Sequence, residues 1–260
     1  GFADDGRVDN DPWYIGGPWA PFRQNSISRA LNEASDSGPI TVDTMRELHA
    51  NVASPLARLF VPYILSSLDD VDVWSQVPTE ELDASQLEAI SLYNDHRAQL
   101  AQVKERLSAW RTGGYQARSG VETFYDQVDD AERADAVATS IFNAHLRALL
   151  KRVWNDEARD AIPYDGSRML IYGLERILRG RGPDNPAGLA SWEETFEESS
   201  LFDDLRTGDK RERSQEVIVG ALVSALNELT APPETYGLGG YGSDDMNTWL
   251  WGLHHMARFE

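Results

Sequence analysis

From Arg23 onward, apolar residues recur every three or four positions with polar residues between them, the period of helices that bury one face. Thr41 is placed to cap a helix whose apolar stripe is Val42, Met45, Leu48 and Val52. Ser54-Pro55 opens the next, with Leu56, Leu59, Phe60, Tyr63 and Ile64 along it, since proline suits a first helical turn. The pattern predicts a long helix over about Ala84 to Trp110, carrying Leu87, Ile90, Leu100, Val103 and Leu107 and stopping at Thr112-Gly113-Gly114. A helix over about Ala131 to Ala158 presents Val137, Ile141, Leu149 and Val153, with Phe142, Leu146 and Leu150 alongside, a stripe wide enough for two neighbours. Shorter helices are predicted over about Ser167 to Leu178 and Ser214 to Leu229, the latter with Ser214 as its N-cap, and a last one begins near Ser243.

The first 22 residues break this period. Trp13, Tyr14, Trp19 and Phe22 give them apolar surface that a disordered tail lacks, so they read as an ordered irregular segment. Two Gly- and Pro-rich connectors, about 179–190 and 231–242, separate the later helices, and the second suits either a lid or a long surface loop. Convincing alternating strands and fixed-period repeats are absent. The expected fold class is mainly α: one domain over residues 1–260, an irregular multi-helix array behind an irregular N-terminal segment.

Composition narrows the partners. With 24 Lys and Arg against 43 Asp and Glu, the net charge of −19 disfavours binding to nucleic acid or anionic lipid. Only Lys104, Lys151 and Lys210 among the 24 cations are lysines, which fits either salt adaptation or an arginine-rich genome. The chain has no cysteine, excluding disulfides, thiolate metal sites and a Cys nucleophile. No apolar run has the length of a membrane span, and the N-terminus does not resemble a signal peptide. A sequence opening on Gly1 rather than Met suggests a processed or excised piece.

The residues alone carry little chemistry. The adjacent His254 and His255 point about 100° apart on a helix and do not share a metal from one face, so each single histidine is expected to be a hydrogen-bonded packing residue. Acidic doublets such as Asp69-Asp70, Asp129-Asp130, Asp203-Asp204 and Asp244-Asp245 are expected to favour helix dipoles or stay solvated. The cluster Asp4, Asp5, Asp9 and Asp11 is chemically suited to Ca²⁺, without a full EF-hand pattern.

Several segments, in order, resemble the β-subunit of the penicillin acylase (penicillin amidase) family of N-terminal-nucleophile hydrolases. They are Ala3-Asp4-Asp5-Gly6-Arg7-Val8-Asp9-Asn10-Asp11-Pro12-Trp13 with Phe22-Arg23, the run Thr41 to Arg58 with Val61-Pro62-Tyr63, Leu107-Ser108-Ala109-Trp110, and Thr248-Trp249-Leu250-Trp251-Gly252 with His255. The resemblance spans essentially the whole chain and implies the helical middle of a β-subunit, cut from a larger αββα enzyme that hydrolyses linear acyl amides.

In that family an N-terminal serine attacks the amide with its own α-amino group as base, and backbone and Asn donors hold the oxyanion. Gly1 has no hydroxyl to play that part, so the resemblance implies a chain inactive alone. Arg23 matches the family's active-site arginine, and Asp4 falls where the family has its oxyanion asparagine. A carboxylate donates a hydrogen bond only when protonated, and its charge repels an oxyanion. The family's calcium-binding aspartate corresponds to Asp11, with Asp9 next, so a structural Ca²⁺ is expected in the parent and no cofactor for catalysis. The implied partners are the rest of the α/β core and a small acyl-amide substrate, in a periplasmic or extracellular parent; a cut domain is also expected to dimerise through exposed apolar surface. The alternative is a noncatalytic helical binding domain of a degenerate homologue.

Overall fold

The computed structural model describes residues 3–4, 12–13, 22–124, 127–156, 167–179, 190–208, 210–234 and 239–255. These are mainly helical. The helices are α1 (Phe22–Ser37), α2 (Val42–Ala50), α3 (Pro55–Trp74), α4 (Ala84–Asp95), α5 (Arg97–Thr112), α6 (Asp130–Trp154), α7 (Ser167–Arg179), α8 (Ser214–Thr230) and the short α9 (Trp251–His254). Two antiparallel two-stranded ladders accompany them: β1 (Ala3–Asp4) with β2 (Pro12–Trp13), and β3 (Trp192–Glu193) with β4 (Glu198–Ser199).

The core forms around α8. Its run from Val217 to Val223 is buried on every side, as expected of a helix that is apolar all round. It packs against α6, α4 and α3, while α6 turns its other flank to α5. The broad stripe on α6 therefore serves two neighbours, as its width predicts, with Val137, Ile141, Phe142, Leu149 and Val153 all buried. Trp110 at the end of α5 closes this core, edge-on to Tyr115 at 5.6 Å and tilted against Phe142 at 5.8 Å.

Local signals set most helix starts. Thr41 forms a capping box with Thr44, and Ser54 Oγ accepts the Ala57 amide at 3.1 Å with Pro55 in the first turn. Asp83 caps α4 reciprocally with Gln86, and Asp129 caps α6. The chain between α5 and α6 crosses so close to α6 that a Cβ at Gly120 would lie 2.4 Å from Ala136 Cβ, and its φ of +69° is itself a glycine conformation.

Four expectations need correction. The long helix over Ala84 to Trp110 is two helices, broken at His96, where φ/ψ are −119°/18°. The Asn94-Asp95-His96 run has weak helix propensity and bonds locally instead: Asn94 Oδ1 accepts from Arg97 at 2.8 Å, and His96 Nδ1 pairs with Gln99 Oε1 at 3.1 Å. The break lets α4 bury Ser85, Ala89 and Tyr93 while Leu87 stays exposed. Ser214 is the first residue of α8 and Arg213 its N-cap, without a side-chain cap bond of its own; the Ser214 amide goes instead to Glu198 Oε2 of β4 at 3.1 Å. The stripe predicted on α2 is not covered among the described residues, Val42 being 70% exposed with Met45 and Val52 also exposed. The helix expected near Ser243 is a 3-10 turn at Met246–Thr248 followed by α9.

Of the 231–242 connector, the described parts pack down rather than stand out. Tyr241 and Gly242 amides bond back to the Leu229 and Ala231 carbonyls at 2.7 and 2.8 Å, and the Tyr241 hydroxyl bonds to Ser140 Oγ at 2.9 Å.

Candidate functional site

The residues expected from the resemblance to form the active site, Asp4 and Arg23, lie in the N-terminal part of the chain. Asp4 stands in β1, paired in register with Pro12 of β2, so the ladder returns the chain past Asp4 before it reaches α1. Arg23 is the second residue of α1 and is exposed. Asp9 and Asp11, the expected calcium ligands, lie outside the described residues. Among the described residues, no group of three or more His, Asp or Glu side chains is placed to hold a metal ion.

A denser polar site, which sequence reading missed, joins the first turns of α4 and α8. The Glu216 carboxylate, buried in the first turn of α8, accepts from Ser85 Oγ at 2.7 Å and from the Lys210 ammonium. Burial pushes the Glu216 carboxyl up, against those two hydrogen bonds, which hold it down. Ser85 in turn receives the Arg213 amide at 2.7 Å, and Arg213 Nε donates to Asp83 Oδ2 at 2.6 Å. Asp83 thus caps α4 and ties it to the start of α8 at once.

The β3–β4 hairpin completes this junction. Arg211 donates from Nε to Glu193 Oε2 at 2.9 Å and from Nη2 to the Ser199 carbonyl at 3.0 Å. Phe196 at the hairpin tip lies beneath both Arg211 and Arg213, 5.1 and 5.2 Å from its ring centre. Every ion here has an opposite partner, so the junction acts as a brace between elements distant in sequence. The only sequence signal for it was the Asp83/Gln86 capping box, since the partners come from other segments.

The histidines carry no metal geometry among the described residues. His255 stacks on Trp251 at 3.6 Å, and His254 meets the Tyr241 ring edge-on at 4.3 Å. His145 departs from the expectation of a hydrogen-bonded packing residue: it is fully buried in α6, and neither ring nitrogen has a hydrogen-bond partner. Of the acidic doublets, Asp129-Asp130 does sit at a helix start, whereas Asp69 lies within α3 and pairs with Lys104 at 2.6 Å.

Among the described residues this is a helical scaffold whose densest polar cluster braces the starts of α4 and α8. A model of the penicillin amidase family matches residues 3–260, and the chain belongs to that family. No curated protein and no solved structure matches the chain. No described helix is long and apolar enough to cross a membrane.

Proposed function

We propose that this chain is the helical part of an amidohydrolase that cleaves linear acyl amides, walling the acyl pocket and bracing an N-terminal-nucleophile core supplied by the rest of the parent. The observation that carries this reading is the family match over residues 3–260, on a chain whose described residues contain only two two-residue ladders and otherwise helices and turns. The αββα core of such enzymes is therefore not among them. The exposed apolar row of Val42 and Met45 on α2 with Ile27 on α1, close in sequence to Arg23, supports a missing partner on that face, and the same row serves a dimer when the chain is alone.

In this reading Arg23 projects from the start of α1 toward the nucleophile, its fixed positive charge stabilising the developing oxyanion. Asp4 takes the place of the oxyanion asparagine and, as a carboxylate, acts there only when protonated. Asp11 and Asp9 supply hard oxygen ligands to a structural Ca²⁺, which would fasten the N-terminal loop without entering the reaction. The parent would be periplasmic or extracellular. A second reading, a noncatalytic helical domain of a degenerate homologue, is favoured by one observation, the carboxylate at Asp4.

Two assays test this. The isolated chain incubated with a phenylacetyl amide reporter should show no turnover, and turnover abolished by Arg23→Ala would place a complete site within these residues. The parent carrying the upstream core should hydrolyse the reporter, with Asp4→Asn retaining or raising the rate. A parent inactive with both Asp4 and Asn at this position supports the noncatalytic reading.

A further inference from the structure

The C-terminal half of α6, the side of α8 that carries Glu216, Ser224 and Glu228, and residues 202–207 with Lys210 and Glu212 line an open cleft of about 630 Å³, within the size range of small-ligand sites. Five cations line it: Arg147, Lys151, Arg152, Arg206 and Lys210. That concentration is unusual in a chain with a net charge of −19.

Each of the four acids of the same cleft has a basic partner, Glu212 and Glu216 sharing Lys210, so five cations face four carboxylates. Glu228 pairs with Arg147 at 2.6 Å, and Asp204 accepts Arg206 Nε at 2.6 Å. Glu216 holds Lys210, whose ammonium also stands 3.6 Å from Glu212. Among the described residues this leaves two cations, Lys151 and Arg152, without a carboxylate within ion-pair distance.

Arg152 is also held in place. Its Nη2 donates to Ser224 Oγ at 3.1 Å, and its guanidinium lies on the α8 backbone at Gly220, where a Cβ would stand 3.0 Å from Nη1. A side chain at Gly220 would require that guanidinium to shift by a few tenths of an ångström. Burial pulls the Arg152 pKa down and the charges of Glu216 and Asp204, beyond ion-pair distance, oppose part of that, while the residue keeps access to solvent. An immobilised guanidinium with free N–H donors facing an open cleft is preorganised for oxygen anions, and Lys151 adds a second charge one residue away.

We infer that the α6–α8 cleft binds a small dianionic oxyanion group, a phosphate or a dicarboxylate, with Arg152 as its fixed donor and Lys151 as the second charge. Neither the amide chemistry of the family nor Arg23 enters this argument, so the inference stands independently of the proposed function. Both ligand sources share the same chemistry of paired anionic oxygens.

Calorimetric titration of the chain at constant ionic strength, with inorganic phosphate, succinate and acetate as probes, tests it. One of the dianions should bind about tenfold or more tighter than acetate, and which one does so identifies the source. Arg152→Ala should weaken that binding by about tenfold or more, and Lys151→Ala by about threefold or more. Lys151 is exposed and makes no contact whose loss would unfold the protein, so its variant keeps the test decisive if Arg152→Ala misfolds. Arg46→Ala, on exposed α2, should bind like the wild type. No heat with either dianion up to about 20 mM, or affinities unchanged in both cleft variants, would overturn the inference.

Discussion

Replacing His145 by leucine should stabilise the protein and flatten its response to acid. His145 sits in α6 against α8, completely buried, with both ring nitrogens unpartnered. Burial lowers its pKa from 6.5 to about 3; the Ala221 carbonyl of α8 is near the ring but outside hydrogen-bond geometry, and it opposes only part of that shift. The folded state therefore keeps the ring neutral while the unfolded chain takes up a proton below its ordinary pKa, so stability is complete above that value and falls as the pH drops toward the folded one. Each pH unit in this window removes about 1.4 kcal/mol, which makes the loss at about pH 5 about 2 kcal/mol from this residue. Leucine has similar bulk, and it removes two buried unsatisfied nitrogens, adding about 1 to 3 kcal/mol at neutral pH. Urea unfolding of both proteins at about pH 7.5 and about pH 5 measures the two effects separately. Burial-raised carboxyls such as Glu216 and Asp135 are present in both proteins and cancel in the difference. The stability gap should widen by about 2 kcal/mol on acidification. A gap independent of pH would refute the argument, because it would mean that His145 is protonated equally in the folded and unfolded states.

Gly120→Ala meets both a clash with Ala136 and a positive φ, so it should cost about 2 to 4 kcal/mol in thermal unfolding, and a loss below about 1 would show that this crossing shifts freely. Asp83→Ala removes the α4 cap and the bond to Arg213 together and should cost about 1 to 2 kcal/mol, whereas Asp83→Asn keeps the cap and should recover more than half; equal losses would assign the effect to the ion pair. Hydrogen exchange should find the amides of α1 and α2, which bury no residue, exchanging far faster than those of α8, and comparable protection would contradict the uncovered face.

Where one segment decides its own structure, the sequence was enough. The starts of α2 and α3 follow from Thr41 and from Ser54 with Pro55, as the sequence predicts; the Asp83–Gln86 capping box that starts α4 was equally local in the sequence but was not read there. The wide stripe of α6 announced its two neighbours for the same reason, because side-chain direction on a helix is a local property. One failure falls where a remote segment intervenes. Ser214 had the composition of an N-cap, yet its amide is taken by Glu198 from the β3–β4 hairpin, and no spacing within residues 210–220 contains that information. The break at His96 had a signal that the stripe reading passed over: at 100° per residue Leu87 and Ile90 point about 140° away from Leu100, Val103 and Leu107, and α4 buries Ser85, Ala89 and Tyr93 instead. Arg23 and Asp4 were singled out by resemblance alone, through their order along the chain, while Lys151 and Arg152 stood out only once the ion pairs around them were placed.

The two ends of the molecule differ in the same physical quantity. Around α8 every apolar side chain from Val217 to Val223 finds neighbours from this chain, so that part needs nothing further to bury its surface. On α1 and α2 the same kind of periodic apolar residue, including Ile27, Val42 and Met45, is left facing outward. Fully covering a side chain of this size is worth about 1.5 to 3 kcal/mol, so a few of them suffice to hold a partner surface in place. The periodicity of α2 is of the same kind as that of α6; what differs is that the described residues cover the stripe of α6 and leave that of α2 open. That asymmetry leaves the uncovered apolar side chains on α1, the helix that carries Arg23, and on α2 beside it in sequence.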